Sequence, residues 1–137
     1  MGSLTGKISV ITGAGSGVGR ETAILFARAG ATVILVGRGR EHLEETQAKL
    51  AGYGNRSEIF TVDMQDSVQI VALFAALENT FGRIDIMVNN AGIIDNFKTF
   101  DNTSDELWDA VIDTNLKGPF VASREAIKLF NKYDIAG

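Results

Sequence analysis

The chain has 137 residues, 45% of them hydrophobic and 22% charged, with 15 glycines, one proline and no cysteine. Such a chain holds one domain with a sizeable core, so a single domain over 1–137 is expected, and collagen-like or disordered classes are excluded. The missing cysteines exclude disulfides, thiolate catalysis and zinc–thiolate sites, and the net charge of -4 gives no electrostatic reason to bind nucleic acid or an anionic membrane.

The only histidine, His42, stands in the polar stretch "REHLEE" and reads as a solvated helix residue, so no metal site is expected. No apolar run approaches the roughly 20 residues of a membrane span, and the N-terminus lacks a basic-then-apolar leader pattern. The expectation is a cytoplasmic protein without membrane or nucleic-acid partners.

Apolar runs alternate with helical patterns along the chain. "KISVIT" (7–12) predicts a strand, followed by a helix from about Gly17 to Ala29 with Gly30 as its C′ residue. "ATVILVG" (31–37) predicts the second strand, and 40–51 a polar helix with Leu43 and Leu50 one heptad apart. "EIFTVD" (58–63) predicts the third strand, ending in an aspartate. Asp66 or Ser67 then caps a helix closed by Gly82, with Val68, Val71 and Ala75 on one face. "IDIMVN" (84–89) predicts a fourth strand, with Asp85 as a backbone partner at its start and not a catalytic acid. "TSDE" pairs Thr103 with Glu106 as a capping box before a helix carrying Trp108, Val111 and Ile112, with Trp108 in the core or an interface. A separate last helix is expected from Gly118-Pro119 to about Asn131. Nearly continuous apolar strands indicate a parallel sheet covered on both faces, which with this alternation predicts an α/β, doubly wound, Rossmann-type sheet.

The stretch "TGAGSGVG" (12–19) sits between the first strand and the first helix. In such a unit one glycine permits the tight turn, another lets backbone approach a phosphate, and a third lets helix pack close on strand. The helix start then offers unpaired amides and a partial positive charge to an anion. An ATP-type phosphate loop does not fit, because Arg20 and Glu21 follow Gly19 where a lysine and a hydroxyl residue are required.

Where a carboxylate would accept bonds from an NAD ribose, the second strand ends "VGRGR", with Gly37 near the acid's place, then Arg38 and Arg40. A guanidinium suits a 2′-phosphate through charge-assisted hydrogen bonds, so NADP is favoured over NAD.

The glycine spacing Gly13-x3-Gly17-x-Gly19 after Thr12, "NNAG" (89–92), "TNLKG" (114–118) and Val62-Asp63 together resemble the short-chain dehydrogenase/reductase family. The resemblance spans essentially the whole chain and implies an NADP(H)-dependent oxidoreductase that moves hydride between nicotinamide and a carbonyl or alcohol carbon. It implies that Gly13, Ser16, Gly17, Val18 and Gly19 hold the pyrophosphate, and that Arg38 holds the 2′-phosphate. Asp63 and the Met64 backbone would contact adenine, and Asn90, Ala91 and Gly92 would line the nicotinamide ribose. The catalytic asparagine would be Asn115, keeping a water or a backbone bend in place. On the residues alone, Asn89, Asn90 and Asp63 fit equally well as partners of loop backbone.

The family's tyrosine and lysine pair, Y-x-x-x-K, is missing, since Tyr53 is followed four residues later by Ser57 and Tyr133 by Gly137. The substrate serine is missing too. The chain therefore resembles the first half of a family member, a sheet truncated after about four strands, and is expected to be inactive alone. A carbonyl or alcohol substrate belongs only to the complete enzyme. The fourth strand would keep an open edge, and the last helix part of its packing surface, which favours a homo-oligomer or pairing through that edge. The alternative is a non-enzymatic module that binds a dinucleotide or another chain.

Overall fold

β1 (Ile8–Thr12) and β2 (Thr32–Gly37) are buried on both faces because their residues alternate between two cores. Val10, Ile34 and Val36 point to one side, while Ile11, Val33 and Leu35 point to the other. The computed structural model describes residues 2–136. Its four strands, with β3 (Ser57–Thr61) and β4 (Ile86–Val88), form an all-parallel sheet in the order β3-β2-β1-β4. This is the expected doubly wound α/β arrangement.

α1 (Gly17–Arg28) and α2 (Arg40–Leu50) cover the Ile11 side through Ala23, Ala27, Leu43 and Leu50. The small residues on α1 let that helix lie close to the sheet. Gly30, at φ +99, ends α1 as expected of a residue that no L side chain suits. The opposite face is covered by α3 (Ser67–Phe81) and α5 (Gly118–Lys132). Asp66 caps α3, its carboxylate accepting from the amides of Val68 and Gln69.

Val68, Val71 and Ala75 share one face of α3, and that face is turned to solvent. Ile70, Leu73, Phe74 and Leu77 are buried, whereas Val68 is 78% exposed and Val71 and Ala75 also face outward. Two apolar stripes run along this helix, and the larger side chains take the core because they remove more apolar area from water.

The capping box is also displaced by one residue. Ser104, not Thr103, caps α4 (Asp105–Ile112) by accepting from the Leu107 amide at 3.1 Å, while the Thr103 hydroxyl donates to Thr99 O. Trp108 is 58% exposed, which removes it from the core. α4 and α5 are not separate helices: a five-residue π turn, Asp113–Lys117, joins them continuously. Pro119 is tolerated inside this continuous helix because it falls directly after the π turn, where the regular i→i−4 ladder is already interrupted.

Asp85 fastens β4 to β1 as expected. Its own amide donates to Ile8 O, and its carboxylate accepts from the Ile8 amide at 2.8 Å. β4 is an edge of the sheet, paired on one side with β1. No helix among the described residues is long and apolar enough to cross a membrane.

Candidate functional site

The C-terminal ends of β1, β2 and β4 open onto one cleft of about 260 Å³, at the point where the chain order reverses between β1 and β4. Open parallel sheets bind ligands at this position, because neighbouring connections leave on opposite faces and part there. Gly13, Ser16, Arg38, Asp63, Met64, Ala91 and Gly92 line the cleft, so seven of the residues singled out from sequence converge on it.

The floor is a hydrogen-bond junction between β1 and β4. The buried Thr12 hydroxyl accepts from the amides of Asn90 and Ala91, each at 3.0 Å, and donates to Val88 O at 3.4 Å. The Asn90 side chain turns inward, its Nδ2 donating to Thr12 O at 3.1 Å and Gly13 O at 3.2 Å. Asn90 therefore acts on loop backbone and does not line the cleft. The Asn89 side-chain Nδ2 donates to the Ser123 hydroxyl on α5 at 3.0 Å.

This junction makes glycine obligatory at two positions. A Cβ on Gly13 would lie 2.9 Å from Ala91 Cα, and Gly13 also adopts φ +65. A Cβ on Gly19 would overlap Gly13 O and Asn90 Nδ2, so Gly19 permits close packing of α1 and does not face the cleft. Gly17, at φ +53, makes the turn into α1, and Val18 is 74% exposed on its first turn. Neither lines the cleft.

The loop between Gly13 and Gly17 suits an anion. Ser16 occupies the N-cap position of α1 with its hydroxyl free of any capping bond. Among the described residues, the amides of Gly15 and Ser16 have no partner within the chain. At the end of β2, Arg40 is held by Glu44 at 2.9 Å, whereas Arg38 lies exposed along the cleft wall. Asp63 Oδ1 accepts from the Gln65 amide at 2.9 Å and so turns the chain after β3. Met64 is buried, and its carbonyl lies where a Cβ on Gly118 would come within 2.5 Å, so Gly118 lets α5 approach this wall.

Asn115 sits in the π turn and clamps the loop after β4. Its Oδ1 accepts from the Ile93 amide at 2.8 Å and its Nδ2 donates to Ile93 O at 2.7 Å. Both faces of the amide group are thereby used on backbone, which fits a positioning role. Turns of π type widen a helix locally, and here the widening aims Asn115 at residue 93 and Thr114 at the cleft.

Gly37 and Val62, noted in the sequence, line the cleft too, and so do Gly15, Gly39, Leu43, Ile93 and Thr114, which the sequence did not mark for the site. Thr114 is the informative one. Its Oγ1 is buried without a hydrogen-bond partner among the described residues, and it borders the cleft. An orphaned buried hydroxyl is costly unless a ligand or water completes it. Thr114 stands in "TNLKG" next to Asn115, the residue that the family resemblance marks. His42 is an exposed helix residue, as expected, yet it also forms part of the cleft rim.

The unpartnered loop amides and the orphaned Thr114 hydroxyl, both at the cleft, fit a dinucleotide.

Comparison with known proteins agrees with this geometry. The short chain dehydrogenase family profile matches residues 7–135, and the chain belongs to that family. It is 40% identical over 129 residues to a 3beta-hydroxysteroid dehydrogenase of Mediterraneibacter gnavus, covering 94% of this chain and 47% of that protein. It is 38% identical over 128 residues to a short chain dehydrogenase/reductase of Macrophomina phaseolina, covering 93% of this chain and 73% of that protein. Among solved structures, a metagenomic short-chain oxidoreductase in complex with NADP superposes with a TM-score of 0.94 at 30% identity, covering 98% of this chain and 61% of that one. The chain thus spans about half the length of several curated relatives it matches, 47% of the Mediterraneibacter gnavus protein and 49% of a short-chain type dehydrogenase/reductase of Picea abies.

Proposed function

We propose that the chain is the dinucleotide-binding portion of an NADP(H)-preferring oxidoreductase acting on a carbonyl or alcohol substrate. The observation that carries the proposal is the pairing, in one cleft, of unpartnered Gly15 and Ser16 amides with the open Arg38 guanidinium. The amides take the pyrophosphate, and Arg38 takes the 2′-phosphate through charge-assisted bonds. Arg40 pairs with Glu44 on the surface outside the cleft, so the preference for NADP rests on Arg38. Asp63 and the Met64 backbone border the adenine end, and Ala91, Gly92 and Ile93 the ribose end nearer nicotinamide. When bound, the nicotinamide supplies or accepts hydride. Asn115 keeps the loop at Ile93 in register with the cleft, a positioning role.

The same reading holds that this chain alone binds cofactor without turnover, since it carries no Y-x-x-x-K pair. Calorimetric titration with NADPH and NADH, followed by a carbonyl panel monitored by nicotinamide absorbance, tests it. Saturable binding that favours NADPH, with no absorbance loss above background, is expected. Equal affinity for both cofactors would remove the role of Arg38, and turnover would remove the inactivity. Association through the edge of β4 belongs to the same proposal, and light scattering that finds only monomer would contradict it.

A further inference from the structure

We propose that Arg20 and Thr46 act together as a clamp that sets the peptide planes of the glycine loop and so aims its amides into the cleft. The inference rests on the reading of that cleft as a dinucleotide site.

Arg20 lies on α1 and Thr46 on α2, and both reach back to the loop. Arg20 Nε donates to the buried Thr46 hydroxyl at 3.0 Å, and that hydroxyl donates to Ala14 O at 2.9 Å. Arg20 Nη2 donates directly to Gly15 O. Two successive loop carbonyls are therefore held on the α2 side. In a trans peptide the carbonyl of one residue and the amide of the next point in opposite directions within one plane. No peptide bond described here is cis. Fixing Ala14 O and Gly15 O consequently turns the amides of Gly15 and Ser16 away from α2. Those two residues line the cleft, and neither amide is spent within the chain among the described residues.

The clamp is positional and not electrostatic. Glu45 pairs with Arg20 Nη2 at 3.0 Å and neutralises it, leaving little net charge for a phosphate to feel. Close approach of α2 is a condition for the contacts. A Cβ on Gly15 would already stand 3.0 Å from His42 Cβ, so the glycine lets α2 come near enough for Thr46 to reach Ala14.

The experiment compares two ligands on the whole 137-residue chain. The 2′-phosphate of ADP-ribose carries a pyrophosphate that would meet the loop, whereas adenosine 2′-monophosphate would meet only the Arg38 end. Thr46→Val removes the hydroxyl with no change of charge, and Arg20→Lys keeps the charge but loses the fork. Both should weaken the pyrophosphate ligand about tenfold, as expected for misdirected charge-assisted bonds, while adenosine 2′-monophosphate binds as before. Thr46→Ser should restore wild-type affinity. Without ligand, the NMR order parameters of the Gly15 and Ser16 amides should fall from about 0.85 to below about 0.6 in Thr46→Val.

Equal weakening of both ligands alongside a lowered melting temperature would reduce the pair to general α1–α2 packing and overturn the clamp. Unchanged pyrophosphate affinity in both variants would also overturn it. If the wild-type chain bound neither ligand, the cofactor reading would fail, and the order parameters alone would decide whether the loop is held.

Discussion

Replacing Gly19 by alanine sets two effects of opposite sign against each other. Alanine is favoured over glycine inside a helix by about 1 kcal/mol, and Gly19 is the third residue of α1. Against that, the added Cβ would overlap Gly13 O and Asn90 Nδ2 and lie 2.8 Å from the Gly13 carbonyl carbon. Backbone cannot swing aside as a flexible side chain can, so an overpacking cost of about 1–3 kcal/mol applies. Displacing Asn90 also weakens its bonds to Thr12 O and Gly13 O, each contributing about 1 kcal/mol. The net is a loss of about 2 kcal/mol, or about 8 °C in melting temperature for a chain of this size. Gly17→Ala is the control, since a Cβ there meets nothing within 4 Å and bears only the left-handed backbone strain of about 1 kcal/mol. Urea and thermal denaturation should therefore rank wild type above Gly17→Ala and Gly17→Ala above Gly19→Ala. A Gly19→Ala protein as stable as wild type would refute the close approach of α1 to the end of β1.

Arg38→Gln should weaken NADPH about tenfold or more, the loss expected for a charge-assisted bond, while leaving NADH unchanged by calorimetry. Asn115→Ala removes both bonds to Ile93 and should cost about 1–2 kcal/mol in urea denaturation. Glu78 bridges α3 to the end of α5, and hydrogen bonds from Lys132 and then Tyr133 hold its pKa below the ordinary 4.5. A pKa lowered on folding contributes stability above that ordinary value and loses it as pH falls through the folded one. The difference in melting temperature between wild type and Glu78→Gln should thus be present at neutral pH and vanish in acid. The Tyr133 pKa is raised, first by its bond to Glu78, so its contribution is complete below the ordinary 10.0 and fades as pH rises through the folded value.

Strand positions and the glycine loop were legible because they follow from local periodicity and backbone freedom, which residues such as Val33 to Val36 and Gly13 express directly. Asp85 and the Asp66 cap were legible for a similar reason, since both satisfy neighbouring amides. The buried face of α3 was not. Val68, Val71 and Ala75 share a helical stripe as regular as that of Ile70, Leu73, Phe74 and Leu77, and only packing on the sheet and α5 selects between them. The fusion of α4 with α5 was hidden for a different reason. A π turn carries no periodicity of its own, and Gly118-Pro119 imitates a helix start. In the site, types chosen for their own chemistry, such as Arg38 and Asp63, do line the cleft. Asn90 and Gly19 instead serve each other and Gly13, a contact between residues 71 positions apart that no local pattern reveals.

The claim on which the account depends is that the β1–α1 loop and the end of β2 together hold a phosphorylated dinucleotide. Titrating the isotope-labelled chain with NADPH and following its backbone amide resonances tests this most directly. Saturable shifts should concentrate at Gly13 to Gly17, Arg38 and Ala91 to Ile93, with Thr114 among them. Shifts confined to residues outside this cleft, or no shifts at saturating NADPH, would contradict it.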